Sequence, residues 1–320
     1  MPAAQRHYLD FEQPIADLEA KIDELSEASE AAGAEDLDDQ LGTLRERVAD
    51  LRREAYANLD PWRKTQVARH PDRPHTSDYI AGLIEDFTEL RGDRGFGDDQ
   101  AIIGGLGRFR GTPVVVMGHE KGRGTAGRLK HNFGLARPEG FRKAVRLMDL
   151  ADRYSLPVLS FVDTSGAYPG AVSEERGVAE AIARSTERGL TLGVPFITTV
   201  TGEGGSGGAL ALAAANAVLV LEHGIYSVIS PEGCAAILWR DRAKGADAAR
   251  ALKITATDLI HNRIVDAVVP EPLGGAHADT SATITAVGDA IQGALEPLLP
   301  LSPDALRRQR ADRFYAIGRA

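Results

Sequence analysis

The chain has 320 residues, of which 43% are apolar and 26% are charged, so it can bury a full hydrophobic core in one large domain with an appendage. Its formal net charge of -9 provides no basic surface of the kind that neutralises phosphates, which argues against nucleic acids and anionic membranes as partners. The start of the chain lacks the apolar core of a secretory signal, and no run approaches the roughly 18 apolar residues of a membrane span, so we expect a cytoplasmic protein.

The chain contains a single cysteine, Cys234, which excludes an internal disulfide. Its histidines and carboxylates are scattered and show no spacing typical of metal ligands. We therefore predict that this chain holds no metal, and we expect Cys234 to be a small buried apolar residue.

Apolar residues near the start recur every three or four positions, which predicts two amphipathic helices. The glycine and acidic bias of residues 26–36 (SEASEAAGAED) favours a hairpin connection between them. The spacing does not distinguish a hairpin that packs on its own core from one that mediates subunit association. Asp60 and Pro61 predict the N-cap and first turn of a new helix, so we expect an amino-terminal helical hairpin extension over residues 1–60. The apolar positions are Ile15, Leu18, Ile22, Leu25, Leu37, Leu41, Leu44, Val48 and Leu51.

From about residue 101, short apolar runs alternate with glycine turns, which predicts strands rather than long helices. Two of these strands each end in a glycine turn that leads into a helix, and this repetition argues for an α/β core with helices against a sheet. We assign the core to residues 61–297 and a carboxy-terminal helical tail to residues 298–320. The predicted strands are residues 102–109, 113–117, 157–162, 195–200, 217–221 and 225–229, with helices from Pro138 and over residues 209–215. The first two strands, joined by a turn at residues 110–112 (RGT), are predicted to form a β-hairpin.

The most informative stretch is residues 202–208 (GEGGSGG), with five glycines at a predicted junction of strand and helix. Glycine allows the backbone to approach a ligand closely, and the first turn of a helix leaves its amides without intrahelical partners. Such amides can hold a phosphate or a developing oxyanion. The alternative is a tight crossover in which glycine only avoids a clash.

Two other functions compete for this stretch. Gly202, Gly204 and Gly207 match the dinucleotide fingerprint, with Glu222 placed 20 residues after Gly202 as a ribose-binding acid. Against this, the following predicted helix is barely two turns long, and a single dinucleotide-binding unit does not explain the similar glycine turn that precedes it.

Residues 204–208 (GGSGG) also match the nucleophile elbow of α/β hydrolases, which would make Ser206 the nucleophile. Asp258 or Asp266, followed by His277, would complete the triad in the permitted chain order. The alternative role for Ser206 is a helix N-cap.

Several motifs together resemble the acetyl-CoA carboxylase carboxyltransferase α-subunit family of the bacterial split type. The resemblance extends in order from residue 9 to about residue 277, so chance is a negligible explanation. The matching segments are residues 9–15 (LDFEQPI), 68–71 (ARHP), 118–119 (GH) with 121–123 (KGR), 132–134 (NFG) with 138–140 (PEG), 163–170 (DTSGAYPG) with 174–177 (EERG), 202–210 (GEGGSGGAL), 226–234 (YSVISPEGC) and 270–277 (PEPLGGAH).

This resemblance implies a crotonase-like fold, a superhelix of repeated β-β-α units, with an active site at the interface with a β subunit. It implies transfer of carboxyl from biotin on a separate biotin carboxyl carrier protein to acetyl-CoA, giving malonyl-CoA for fatty-acid synthesis. It also implies an α2β2 assembly working with biotin carboxylase, with zinc on the β subunit. A relative acting on propionyl-CoA is the main alternative substrate assignment, and a non-catalytic scaffold is another alternative.

The resemblance also assigns site residues. The N–H groups of Gly207 and Gly208 are expected to form the oxyanion hole on the biotin side, and Gly204, Gly205, Gly166 and Ala167 are expected to shape the substrate pocket. The family usually has proline where this chain has Ser165.

A second departure lies in the loop of residues 119–130. After residues 121–123 (KGR), the family tends to have an acidic, lysine-rich start to a helix, whereas this chain has GTAGRLK. His119, Lys121 and Arg123 in this loop are equally compatible with ligand contacts and with a solvated basic loop.

Overall fold

The computed structural model describes residues 6–32 and 36–319. Within these residues the chain forms an α/β structure of one mixed sheet with helices on both faces, which confirms the α/β prediction. The helices are α1 (Gln13–Ala32), α2 (Asp36–Ala57), α3 (Pro61–Ala68), α4 (Thr76–Leu83), α5 (Gly124–Lys130), α6 (Pro138–Tyr154), α7 (Ala171–Glu175), α8 (Val178–Thr191), α9 (Ser206–Leu210), α10 (Pro231–Trp239), α11 (Gly245–Leu252), α12 (Ala256–His261), α13 (Thr280–Leu295) and α14 (Pro303–Ala316). The strands are β1 (Ile84–Glu89), β2 (Ile102–Phe109), β3 (Thr112–His119), β4 (Val158–Thr164), β5 (Phe196–Gly205), β6 (Ala217–Leu221), β7 (Ile225–Ser227) and β8 (Ala267–Val269).

The sheet has the strand order β1-β2-β3-β4-β5-β6-β8, and β7 pairs with the far end of β5. The first three strands are antiparallel, and β2 and β3 form the predicted hairpin. From β3 to β8 the pairings are parallel, with helices in the crossovers between successive strands. Because parallel strands end at the same edge, the turns after β4 and β5 are neighbours in space.

The hydrophobic core lies on both faces of this sheet. One cluster packs α6 and α8 against one face, and a second cluster packs α4, α13 and α14 against the other. Every residue of β4 and β5 is buried, as expected for central parallel strands covered on both faces. Cys234 is buried against Ala235 and Ala248, which confirms its prediction as a small core residue.

The two amino-terminal helices pack against each other and are fastened to the core by polar contacts. Tyr56 donates a hydrogen bond of 2.8 Å to the buried Glu12 within this extension, and the His7 carbonyl contacts a ring nitrogen of His70 in the core at 3.1 Å. The predicted connection over residues 26–36 was wrong in its first part, because α1 continues to Ala32. Alanine and glutamate favour helix there more than the glycine bias opposes it, and residues 33–35 lie outside the described residues.

Other helix boundaries follow the sequence signals. The Asp60 carboxylate accepts the Arg63 N–H at 2.8 Å at the start of α3, which confirms the predicted N-cap. Pro138 opens α6 as expected. At the carboxy-terminal end, the fully buried Arg310 of α14 donates to the carbonyls of Leu192 and Val194 at 2.7 and 3.0 Å, which fixes this helix to the core.

The region after β5 differs from the prediction. β5 extends to Gly205, so Gly202, Gly204 and Gly205 belong to the strand and not to a turn. The helix predicted over residues 209–215 was wrong, because α9 is a single short helix that ends at Leu210. Pairing with β7 explains the longer strand, since Gly204 and Gly205 lie opposite Tyr226 and Ser227. Among the described residues, no helix combines the length and apolar character that crossing a bilayer requires.

Candidate functional site

The two glycine segments meet at one edge of the sheet: the first is residues 165–170 (SGAYPG) and the second is residues 202–208 (GEGGSGG). β4 and β5 run parallel in register from Val158 and Phe196, and the register then shifts before Thr164 pairs with Gly204. This irregularity brings residues 165–167 against residues 205–208. The geometry therefore forms one site from two segments that are about 40 residues apart in sequence.

Four glycines of the second segment are required by close approach. One is Gly202, where a Cβ atom would lie 2.5 Å from a carboxylate oxygen of Asp163. A Cβ atom on Gly208 would lie 2.6 Å from the carbonyl carbon of Gly166, and one on Gly205 would overlap the carbonyl of Ser165. A Cβ atom on Gly204 would lie 2.8 Å from the Tyr226 ring. The tight-crossover explanation therefore accounts for these four positions.

At Gly207 and Gly166, in contrast, close approach of neighbouring backbone atoms does not require glycine. A Cβ atom on Gly207 would meet only a methyl group of Ile182, at 3.2 Å, and Gly207 is half-buried. Gly166 has a φ of +150° with open space at its Cβ position, so its conformation and not crowding favours glycine. Gly207 and Gly208 belong to the first turn of α9, whose N–H groups have no intrahelical partner.

A partly buried ion-pair network holds the ends of β4 and β5 together, and its two carboxylates at the strand ends, Asp163 and Glu203, are buried. Asp163 pairs with Lys121 at 2.6 Å and accepts the Glu203 N–H at 2.9 Å. The Glu203 side chain in turn pairs with Arg69 at 2.6 Å, and Arg69 also binds Glu232 of α10. Burial opposes the charge on Arg69, but the hydrogen bonds with these two carboxylates outweigh it and raise its pKa.

A second buried ion pair fixes the strand just before the glycines. Arg73 pairs with Glu271 at 2.8 Å and donates two hydrogen bonds, of 2.8 and 3.2 Å, to the Thr201 carbonyl. Burial by itself would raise the pKa of Glu271, but the Arg73 charge and hydrogen bonds outweigh this effect and lower the pKa to about 2. Glu271 therefore stays ionised and keeps the end of β5 in place.

His119, the last residue of β3, lies beneath the second glycine segment. Its ring is fully buried, the backbones of Phe161 and Gly208 lie beside it, and burial lowers its pKa to about 4. Neither ring nitrogen has a well-oriented hydrogen-bond partner within the described residues. His119 is thus a neutral core residue and does not belong to a solvated basic loop.

A cavity of about 320 Å³ opens beside the first segment, lined by Lys121, Asp163 and Ser165 among others. A larger cavity of about 610 Å³ lies between α4, β1, β2 and α5. None of the six predicted site residues lines either cavity. The smaller one is lined by Ser165, the residue directly before Gly166, and it is therefore the candidate substrate pocket.

The hydrolase alternative is not supported. Ser206 is exposed and has a φ of 53°, which is compatible with a nucleophile elbow. However, the aspartate and histidine residues expected to complete its triad make other contacts. Asp258 caps α12, Asp266 pairs with Arg313, and His277 stacks on His70 with 3.6 Å between ring centroids. The predicted triad is therefore not formed.

The dinucleotide alternative fails for a related reason. Two of the three fingerprint glycines, Gly202 and Gly204, lie inside β5, so no phosphate-binding loop forms between strand and helix. The Glu222 carboxylate accepts the Glu271 N–H at 3.1 Å and serves the protein's own backbone.

A model of the family described as acetyl co-enzyme A carboxylase carboxyltransferase-like matches residues 8–318. The chain belongs to this family. It is 68% identical over 314 residues to the acetyl-coenzyme A carboxylase carboxyl transferase subunit alpha of Caulobacter vibrioides, with 98% of each chain covered. The protein of the same name from Phenylobacterium zucineum is 66% identical, again with 98% of each chain covered.

Solved structures place this carboxyltransferase-like chain in the crotonase-like fold, which confirms that prediction. Transcarboxylase 12S superposes with a TM-score of 0.57 at 22% identity, covering 71% of this chain and 42% of that one. A Pseudomonas malonate decarboxylase hetero-tetramer superposes with a TM-score of 0.60 at 16% identity, covering 76% of this chain and 96% of the other.

The carboxyltransferase-like chain brings all six site residues predicted from sequence to one place. Gly204 and Gly205 lie at the end of β5, Gly207 and Gly208 in α9, and Gly166 and Ala167 in the segment against them. Only Gly207 and Ala167 are partly accessible, whereas the other four are buried.

The prediction from sequence missed the charged residues that hold these segments. Asp163, Glu203 and Arg69 were not identified as site residues, although all three lie in motifs that carried the resemblance. The available signal in the sequence was a charged residue within or close beside a glycine segment, as at Asp163 and Glu203. Its partners were not recognisable, because Arg69 and Glu203 are 134 residues apart.

Proposed function

We propose that this chain is the α subunit of an acetyl-CoA carboxylase carboxyltransferase. With a separate β subunit it transfers carboxyl from carboxybiotin to the methyl carbon of acetyl-CoA, giving malonyl-CoA for fatty-acid biosynthesis. The observation that carries the proposal is the packing of the two glycine segments against each other at the start of α9, where backbone amides have no helical partner. The names of the full-length relatives support the same activity.

Carboxybiotin reaches this site on the biotin carboxyl carrier protein and is therefore a substrate of the step. As its N–CO2 bond breaks, the electron pair delocalises onto the ureido oxygen. The ureido nitrogen then accepts a proton from the methyl group of acetyl-CoA, and the resulting enolate carbon attacks CO2. The growing negative charge on the ureido oxygen is where preorganised N–H donors act.

We assign these donors to the N–H groups of Gly207 and Gly208. One such donor is typically worth about 3 to 4 kcal/mol in the transition state. Gly204 and Gly205 support the strand end, and Gly166 and Ala167 form the opposite wall. The packing of Gly208 on Gly166 supports this arrangement, because it couples the direction of the donor amide to the wall.

The proposal includes the assembly. We infer an α2β2 complex with zinc on the β subunit, working in the cytoplasm with biotin carboxylase and the carrier protein. We also keep the division into a helical extension (residues 1–60), a core (residues 61–297) and a tail (residues 298–320) as part of the proposal. The contact of the His7 carbonyl with the His70 ring and the contact of Arg310 with the Leu192 carbonyl indicate that both end segments fold onto the core.

Reconstitution tests the function. The chain mixed with β subunit, carboxylated carrier protein and acetyl-CoA should yield malonyl-CoA, and propionyl-CoA should be a poorer acceptor. The chain alone should show no turnover, since the thioester pocket is expected on β. Robust turnover by the isolated chain, or none in the complete mixture, would contradict the proposal. Light scattering of the mixture should give the mass of two copies of each subunit.

A further inference from the structure

The cavity of about 320 Å³ beside the first glycine segment contains a cation that the protein does not neutralise. Arg128 of α5 lines this cavity and makes no ion pair or side-chain hydrogen bond with any part of the chain that the structure describes. The other lining cations are satisfied: Lys121 by Asp163, Arg69 by Glu203 and Glu232. The cavity therefore has one positive charge available to a ligand.

The two lining histidines do not change this balance. His75 contacts the Glu120 carboxylate at 3.1 Å. Burial lowers the pKa of His70, whose ring nitrogens contact the Asp72 N–H and the His7 carbonyl. Neither histidine offers a free charge to the cavity.

An aromatic ring is held at the same cavity by a strained backbone. Phe133 has φ 56° and ψ 27°, in the left-handed region that bulky residues rarely adopt, and Asn132 before it also has a positive φ of 47°. Phe133 nevertheless remains 50% exposed, so its burial does not compensate for the strain.

Neighbouring contacts maintain this conformation. Thr164 donates to the Gly134 carbonyl at 2.7 Å, and the Gly134 N–H donates to the His131 carbonyl at 2.9 Å. The strained segment is thereby anchored to the residue that precedes the first glycine segment. Strain of this kind, maintained by surrounding bonds, is typical of ligand-binding positions.

We propose that Arg128 and Phe133 form a subsite for a planar ring that carries an anionic group. The Phe133 face packs on the ring, and the Arg128 guanidinium binds the anion. This inference rests on the proposed function, whose two substrates both contain such a group: the carboxylated ureido ring of carboxybiotin and the phosphorylated adenosine of acetyl-CoA. The subsite adds two side chains to a site so far described by backbone amides.

Steady-state kinetics of the reconstituted complex tests the proposal, with KM measured separately for the carboxylated carrier protein and for acetyl-CoA. Arg128→Met should raise one of these KM values by about tenfold to a hundredfold, the effect of losing a charged hydrogen bond. Phe133→Leu should raise the same KM by about two- to tenfold. In both variants kcat should not fall, because neither the phosphate contact nor the carboxylate contact becomes stronger in the transition state than in the ground state.

The matched control is Lys130→Met, which removes one charge from the same helix at a residue that lines the other cavity. A KM rise in the Arg128 and Phe133 variants that is absent in Lys130→Met supports the subsite, and the substrate affected identifies the ligand. Unchanged KM values, a loss confined to kcat, or an equal rise in the control would overturn it. Wild-type turnover separates the two proposals, because an inactive wild-type mixture contradicts the function itself.

Discussion

Substitution of Gly208 by alanine tests whether the contact between the two glycine segments sets the donor amides. The new Cβ atom would lie 2.6 Å from the Gly166 carbonyl carbon, whereas ordinary contact begins at 3.4 Å, so the segments must separate by about 0.8 Å. The atoms nearest to the new Cβ atom belong to the backbone of Gly166 and Ala167, so rotation of a side chain cannot relieve the clash. We expect a loss of about 1–3 kcal/mol in stability. A displacement of about 1 Å at a catalytic group can cost on the order of 100-fold in rate.

Gly207→Ala is the matched comparison, because its Cβ atom meets only the Ile182 side chain at 3.2 Å and that side chain can move. Malonyl-CoA formation by the reconstituted complex gives kcat, and urea unfolding gives stability for each variant. Gly208→Ala should lose both, whereas Gly207→Ala should lose less than about 1 kcal/mol of stability. A folded Gly208→Ala enzyme with wild-type kcat would refute the role of the contact. Gly207→Val, with a branched side chain, should abolish transfer.

Three further predictions concern single residues. Ser206→Ala should keep most activity, because the exposed hydroxyl has no triad; a folded but inactive variant would contradict the amide mechanism. Arg73→Met should lower the free energy of unfolding by about 3–5 kcal/mol, since it leaves Glu271 charged and buried, and adding Glu271→Leu should restore part of that loss in urea titrations. The free energy of unfolding should fall as pH drops below about 6.5. Burial lowers the pKa of His119 to about 4 and that of His277 to about 3 in the folded chain. Between these values and about pH 6.5 the two histidines bind protons only in the unfolded chain, which stabilises the unfolded state. His119→Gln should reduce the steepness of that decline; an unchanged pH dependence of unfolding would show that His119 does not contribute.

The sequence determined the local elements whose signals are short-range. The Asp60-Pro61 pair predicted the start of α3, the turn after Phe109 predicted the β2–β3 hairpin, and Pro138 predicted the start of α6. These signals depend on backbone conformations and caps that a few neighbouring residues decide. The family resemblance likewise depended on ordered motifs, and it predicted the crotonase-like fold.

Only the tertiary structure decided what the glycines do. Alone, residues 202–208 allowed a phosphate loop, a nucleophile elbow or a crossover. The pairing of β5 with β7 drew Gly204 and Gly205 into the strand, and contact with residues 165–167 left no room for side chains at Gly205 and Gly208. The same holds for Asp163, Glu203 and Arg69, because their ion pairs join residues far apart in sequence. Such contacts have no local signal, since their free energy depends on burial and distance that exist only after the sheet has assembled.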